Sequence, residues 1–165
     1  MRDISWSAGI RSRNPDAGFN APELRGFGMS RYGILVRAQV HFTGWLSSNE
    51  LTEWYRVPDI LVVPSWYEPF GMVVLEGMIH ILAVAASDVG GPAEILRHDE
   101  TGILFPPGSA TALADAILRL VSDTALRERI AVSGALEVRE NWLWDKIVCK
   151  MLAVYDEVDP AGALP

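Results

Sequence analysis

Asp59-Ile-Leu-Val-Val63-Pro-Ser-Trp-Tyr-Glu68-Pro-Phe-Gly71-Met-Val-Val-Leu-Glu76 reads as a strand, a turn and a helix in succession. Ile60 to Val63 is a short apolar run rich in branched side chains, the pattern of a strand buried on both faces of a parallel sheet. Val73, Val74 and Leu75 carry the apolar pattern past the turn into a helix predicted over 71–80. The turn therefore lies at the carboxyl end of a strand, where open α/β sheets bind their ligands.

A helix that begins near Phe70 or Gly71 leaves its first amides without intrahelical partners and aims a positive partial charge at the loop, which suits a diphosphate. Gly71 lets a ligand approach the backbone. Glu76 lies in the second turn, and helical side chains lean toward the N-terminus, so its carboxylate is expected to point back at the same place. A carboxylate there repels phosphate but accepts hydrogen bonds from vicinal hydroxyls, and a ribose offers two. Glu68, on the loop, is placed for a sugar hydroxyl or for stabilising a sugar that becomes cationic. The same spacing also fits a capped helix with two exposed acids.

Beyond this turn the alternation continues. A strand over 82–86 leads through Ser87-Asp-Val-Gly-Gly91 to a short helix near Pro92, and Gly102-Ile-Leu-Phe105 supplies another strand before Pro106-Pro-Gly108. Two glycine turns side by side at one sheet edge would enclose a ligand, although the Gly90-Gly91 pair also fits an ordinary tight turn. Ser109 caps a predicted helix with Leu113, Ile117, Leu120 and Val121 on one face. Asp123 caps another that carries Leu126, Ile130 and Leu136. A last helix, 144–158, places Ile147, Met151 and Tyr155 on one stripe, with Trp142 and Trp144 read as packing residues. Upstream, Ser47-Ser-Asn-Glu50 has the form of a capping box for a helix through Arg56, and Ile34-Leu-Val36 and Val40-His-Phe-Thr43 are candidate strand pieces. Residues 1–30 hold glycines and prolines without a period and read as loop. Alternating β and α units of this length predict an α/β fold, a Rossmann-like three-layer α/β/α arrangement with a parallel sheet.

Composition narrows the function classes. The 165 residues, half of them hydrophobic, suffice for one sizeable core. The net charge of −7 is uneven: residues 1–40 hold six Arg against three acids, and the acidic remainder argues against nucleic-acid binding. The longest nearly apolar run, 78–86, is about half of what a membrane span needs, so no transmembrane segment is expected. One cysteine, Cys149, excludes an intrachain disulfide and points to a cytoplasmic setting, with a peripheral membrane position as the alternative. His41, His80 and His98 lack metal-pair spacing, and no zinc site is expected.

Taken together, Val40-His-Phe-Thr-Gly44, Asp59-Ile-Leu-Val-Val-Pro-Ser65, Glu68-Pro-Phe-Gly71 with Glu76, Ser87-Asp-Val-Gly-Gly-Pro-Ala-Glu94 and Gly102-Ile-Leu-Phe-Pro-Pro-Gly108 resemble the carboxy-terminal, donor-binding domain of retaining GT-B glycosyltransferases of the group 1, or family 4, type. The resemblance runs over 39–158, with 1–38 an irregular segment that does not match and 159–165 a tail. It implies a site for a nucleotide-diphospho-sugar, transferred with retention and without a metal or other cofactor. By that resemblance Glu76 binds the ribose hydroxyls and Glu68 is the catalytic carboxylate beside the transferred sugar. The amides of Phe70, Gly71 and Met72 would hold sugar or distal phosphate, and Gly44-Trp45 would lie near the base.

Three departures accompany the resemblance. The family's amino-terminal acceptor domain has no counterpart in the chain. Neither do the first strands of the donor domain, with the Arg and Lys that grip the diphosphate. Ile81 and Ala83 stand where a Gly and then a Pro are usual, and a left-handed Ile at a helix end costs about 1–2 kcal/mol. The chain is therefore expected to need a separate acceptor-domain chain, or to self-associate through an open sheet edge. The alternatives are a non-catalytic nucleotide-sugar-binding or association module, and an epimerase of related fold.

Overall fold

The computed structural model describes residues 8–11 and 43–158. The candidate strand pieces at 34–36 and 40–42 and the tail lie outside the described residues. Three parallel strands form the body of the sheet, β2 (Pro58–Val63), β3 (Ala83–Ser87) and β4 (Ile103–Phe105), and β1 (Ala8–Arg11) joins β2 at its outer side, giving the order β1-β2-β3-β4. Ile60 to Val63 pair in register with Ala83 to Ala86, and Ala85 to Ser87 pair with Ile103 to Phe105. The helices are α1 (Ser48–Tyr55), α2 (Met72–Ile79), α3 (Gly90–Ile95), α4 (Ala110–Ser122), α5 (Thr124–Asn141) and α6 (Trp144–Val158).

Alternation along β2 and β3 divides the core into two layers. Leu61, Val63, Val84 and Ala86 face Tyr55 of α1, Val74 and Met78 of α2, Ile95 of α3 and Val138 near the end of α5. Ile60, Val62, Ala83 and Ala85 face the other way, onto Ala116 and Leu120 of α4 and Leu126, Ile130 and Ala131 near the start of α5. α5 thus reaches both faces of the sheet. Three of the caps expected from sequence close as written. Ser47 and Glu50 exchange capping-box hydrogen bonds, Ser109 Oγ accepts from the Ala112 amide at 3.2 Å, and Asp123 Oδ1 accepts from the Leu126 amide at 2.9 Å.

Several expectations are corrected. Residues 8–11 are not loop: they form a strand antiparallel to β2, with a register shift between Ile10 and Arg11. Pairing with the free outer edge of β2 satisfies their backbone groups, an influence from elsewhere in the chain that no local period encodes. The same pairing covers the β2 edge, which was expected to stand open. Val121 and Leu136 are exposed, because the buried faces of α4 and α5 run instead through Ala116 and Leu120 and through Ile130, Gly134 and Val138. Trp144 is exposed as well, whereas Trp142 packs against the core. The stripe of α6 is real as a pattern, yet no residue of that helix is buried.

Ile81 takes the conformation expected of the glycine it replaces. Its φ is +62°, its amide donates to the Met78 carbonyl at 3.0 Å, and the Leu82 amide donates to the Gly77 carbonyl at 3.0 Å. These two bonds are the paired closure of a helix C-terminus that normally has glycine at the left-handed position. The closure satisfies carbonyls at the end of α2 and turns the chain into β3, so it is kept at the expense of steric strain in a branched side chain. The Ile81 side chain is half exposed and returns little burial energy. Ile81→Gly is therefore expected to stabilise the protein by about 1 kcal/mol, the relieved strain less glycine's extra backbone entropy. Thermal unfolding would show this as a rise of roughly 2–4 °C, and an unchanged or lower midpoint would contradict it.

Candidate functional site

Three loops leave the carboxyl ends of β2, β3 and β4 and meet at one edge. The first, 64–71, touches the second, 88–89, and the start of α3 backbone to backbone, and the Gly91 amide donates to the Glu68 carbonyl at 2.9 Å. A Cβ on Gly91 would lie 2.3 Å from the Phe70 carbonyl carbon, and one on Gly90 (φ +45°) would lie 2.3 Å from the Glu68 carbonyl oxygen. The two glycines are what allow this approach. The third loop joins through Trp66, whose ring lies against Gly108, where a Cβ would come within 2.3 Å of it. The Asp88 amide donates to the Phe105 carbonyl at 2.8 Å and ties the second loop to the end of β4.

α2 begins in this edge. Gly71 precedes it with φ +73°, and a Cβ there would crowd Ile95, Gly91 and Pro92, so the position requires glycine for both conformation and space. Glu68 reaches forward into the turn, its Oε1 accepting from the Gly71 amide at 3.1 Å. The amides of Met72 and Val73 make no hydrogen bond among the described residues, and together with the helix dipole they face the loop as donors. Phe70 and Met72 expose their side chains beside them, with Trp66 and Tyr67 on the same loop.

Glu76 lies five residues beyond Gly71, about 7 Å along the helix axis. Its carboxylate is half-buried, and the phenol of Tyr55, the last residue of α1, donates to its Oε2 at 2.7 Å. Tyr55 is only 7% exposed and its ring stacks on His80 with centroids 5.1 Å apart. Burial pushes the Tyr55 phenol well above the usual tyrosine range, and its bond to Glu76 raises it further. It remains a donor over the whole physiological range.

The structure thus brings Glu68, Phe70, Gly71 and Met72 together at the start of α2 and sets Glu76 on the same helix. Gly44, with φ +65°, and Trp45, 97% exposed at a bend, precede α1; no hydrogen bond or ring contact joins them to those residues. Tyr55 and Trp66 were not singled out from sequence, and His80 was weighed there only as a metal ligand. The Tyr55–Glu76 contact spans 21 positions and follows no periodic signal. Among the described residues, no group of three His, Cys, Asp or Glu side chains is arranged to hold a metal ion. No helix of the described residues is long and apolar enough to cross a membrane.

The family described as glycosyl transferases group 1 matches residues 31–135, more than half of the sequence. The chain belongs to the group 1 glycosyl transferases. An uncharacterized glycosyltransferase of Methanocaldococcus jannaschii is 37% identical over 124 residues, which cover 75% of this chain and 32% of that protein. The sucrose-phosphate synthase of Thermosynechococcus elongatus superposes with a TM-score of 0.66 at 36% identity, covering 74% of this chain and 31% of that one. Anabaena HepE, solved in complex with UDP, superposes with a TM-score of 0.60 at 25% identity, covering 64% of this chain and 29% of that one. The chain spans between about a quarter and a third of the length of the curated relatives it matches. Likeness to these solved structures agrees with the parallel α/β sheet.

Proposed function

We propose that this chain carries the nucleotide-diphospho-sugar site of a retaining glycosyltransferase. The observation that carries the reading is the start of α2: amides with no partner among the described residues at a helix N-terminus, flanked by two carboxylates, at the carboxyl edge of the sheet in a group 1 family member. A solved relative in complex with UDP supports the ligand class. In this reading the Phe70 and Met72 amides and the helix dipole receive the distal phosphate or the sugar. The Gly71 amide is engaged by Glu68 and helps fix that carboxylate instead. Glu76 accepts from the ribose hydroxyls.

Glu68 lies beside the transferred sugar. As the bond from the anomeric carbon to the diphosphate oxygen lengthens, the sugar gains positive charge and the diphosphate gains negative charge. A carboxylate near the first and a helix N-terminus near the second stabilise that separation more than they stabilise the ground state. No cofactor takes part. Transfer also requires an acceptor held against the anomeric carbon. That part is supplied by a region beyond the described residues or by a separate chain.

Calorimetric titration with UDP-, GDP- and ADP-sugars tests the reading. Saturable binding of one of them is expected, with Glu76→Ala reducing affinity at least tenfold, the loss of charge-assisted hydrogen bonds to two hydroxyls. Folded protein that binds none of these donors would overturn it. A second reading, an association module that keeps the fold, is favoured by one observation, the apolar face that α6 leaves uncovered. Sedimentation separates the two: the module self-associates at micromolar concentration with no dependence on nucleotide sugar.

A further inference from the structure

We propose that Tyr55 is a positioning residue for this site, its phenol fixing the Glu76 carboxylate so that the remaining oxygen faces the ribose hydroxyls. The inference rests on the donor-site reading and adds a residue that the family resemblance did not supply. An unrestrained glutamate side chain on a helix surface has three rotatable bonds and many solvated rotamers, and ordering it on binding costs affinity. Here that ordering precedes the ligand. The Tyr55 hydroxyl holds Oε2 at 2.7 Å, while Oε1 makes no hydrogen bond among the described residues. One carboxylate oxygen is spent on the protein and one is kept for the ligand.

The phenol is itself held. Tyr55 is almost fully buried in the layer formed by Leu61, Val74 and Met78, so the ring cannot follow a wandering carboxylate. His80 stacks on its face at an interplanar angle of 23°, and His80 Nδ1 lies 2.8 Å from the Glu76 carbonyl oxygen. Tyr55 closes α1, which begins in a complete capping box, and so the phenol is carried by a capped helix. A buried hydroxyl needs a partner in any fold, and packing alone would explain a bond to a backbone carbonyl. The choice of a glutamate on the helix that opens at the candidate anion site, with its second oxygen making no hydrogen bond among the described residues, is what packing does not explain.

The test compares UDP, GDP or ADP, whichever binds, with the same nucleotide carrying 2′,3′-dideoxyribose, in the full chain. Wild type is expected to prefer the ribose form at least tenfold. Tyr55→Phe, which keeps the buried ring, is expected to reduce that preference about five- to tenfold while binding of the dideoxy form is unchanged. In a Glu76→Ala background the same substitution is expected to change neither affinity, since its effect passes through Glu76. His80→Ala removes the stacking partner and leaves the phenol; it is expected to lower the same preference by a smaller factor, and it supplies the readout if Tyr55→Phe does not fold.

An unchanged ribose preference in folded Tyr55→Phe would overturn the inference and leave the donor site standing. Equal loss for ribose and dideoxy forms would also overturn it, assigning Tyr55 a purely structural role. Absence of any ribose preference in wild type would overturn the donor-site reading itself, and this inference with it.

Discussion

Gly91→Ala is expected to abolish nucleotide-sugar binding and to lower stability by about 2–4 kcal/mol. The new Cβ would lie 2.3 Å from the Phe70 carbonyl carbon, 2.4 Å from its oxygen and 2.7 Å from the Gly71 nitrogen. All three are backbone atoms, so no side chain can rotate away to make room. The loops must part by more than 1 Å, which breaks the 2.9 Å bond from the Gly91 amide to the Glu68 carbonyl and moves the start of α2. Overpacking of this kind costs about 1–3 kcal/mol, and the lost bond adds about 1 kcal/mol. Gly77→Ala is a useful contrast. There the nearest atom, at 2.3 Å, is the end of the Leu61 side chain, which can shift, and the site should survive. Denaturant unfolding and ligand titration of both variants check the pair, and a Gly91→Ala protein with wild-type affinity would show that the contact between the loops is dispensable.

Met78→Ala is expected to have the largest effect on stability, a loss of about 2–5 kcal/mol. Met78 is fully buried on the inner face of α2, against the sheet and against Gly134 of α5. Removing its side chain leaves a cavity between the helix that bears Glu76 and the helix that spans both faces of the sheet. Few neighbours can close it, since Gly134 has no side chain to extend. For a domain whose total stability is on the order of 5–15 kcal/mol, the loss is a large fraction. Urea unfolding should show a lower midpoint, and a loss below 1 kcal/mol would mean that α2 is held chiefly by its loops. The functional consequence follows from position, because loosening α2 moves its free amides and Glu76 together.

Much of this arrangement is legible in the sequence because it is local. Ile60 to Val63 and Ala83 to Ala86 announce strands by unbroken apolar runs, and Ser47, Ser109 and Asp123 announce helix starts by side chains that bond three residues ahead. Glu68 and Glu76 fall on the loop and helix where their spacing places them. At Ile81 the resemblance to a family with Gly in that place left open a strained left-handed residue or a different helix end, and the φ of +62° shows the first. What sequence does not reveal is contact between distant segments. β1 exists through pairing with β2, Tyr55 meets Glu76 across 21 positions, and the closeness of Gly91 to Phe70 depends on two loops being brought together by the strands beneath them.

The exposed positions of Val121 and Leu136 have the same origin. A helix presents several apolar residues, and the neighbouring layer decides which of them it covers. In α5 the small residues Ala131, Gly134 and Ala135 face inward and let the helix approach closely, which turns Leu136 outward. Bulk alone does not identify the buried face when close approach favours small side chains.

The most direct measurement is the backbone amide spectrum of isotopically labelled protein during titration with the nucleotide-diphospho-sugar that binds. The account predicts the largest shifts at Phe70, Met72 and Val73, with smaller ones at Glu76 and at Gly90 and Gly91, and none along α4 or α6. Shifts confined to those two helices, with the amides at the start of α2 unmoved, would contradict it.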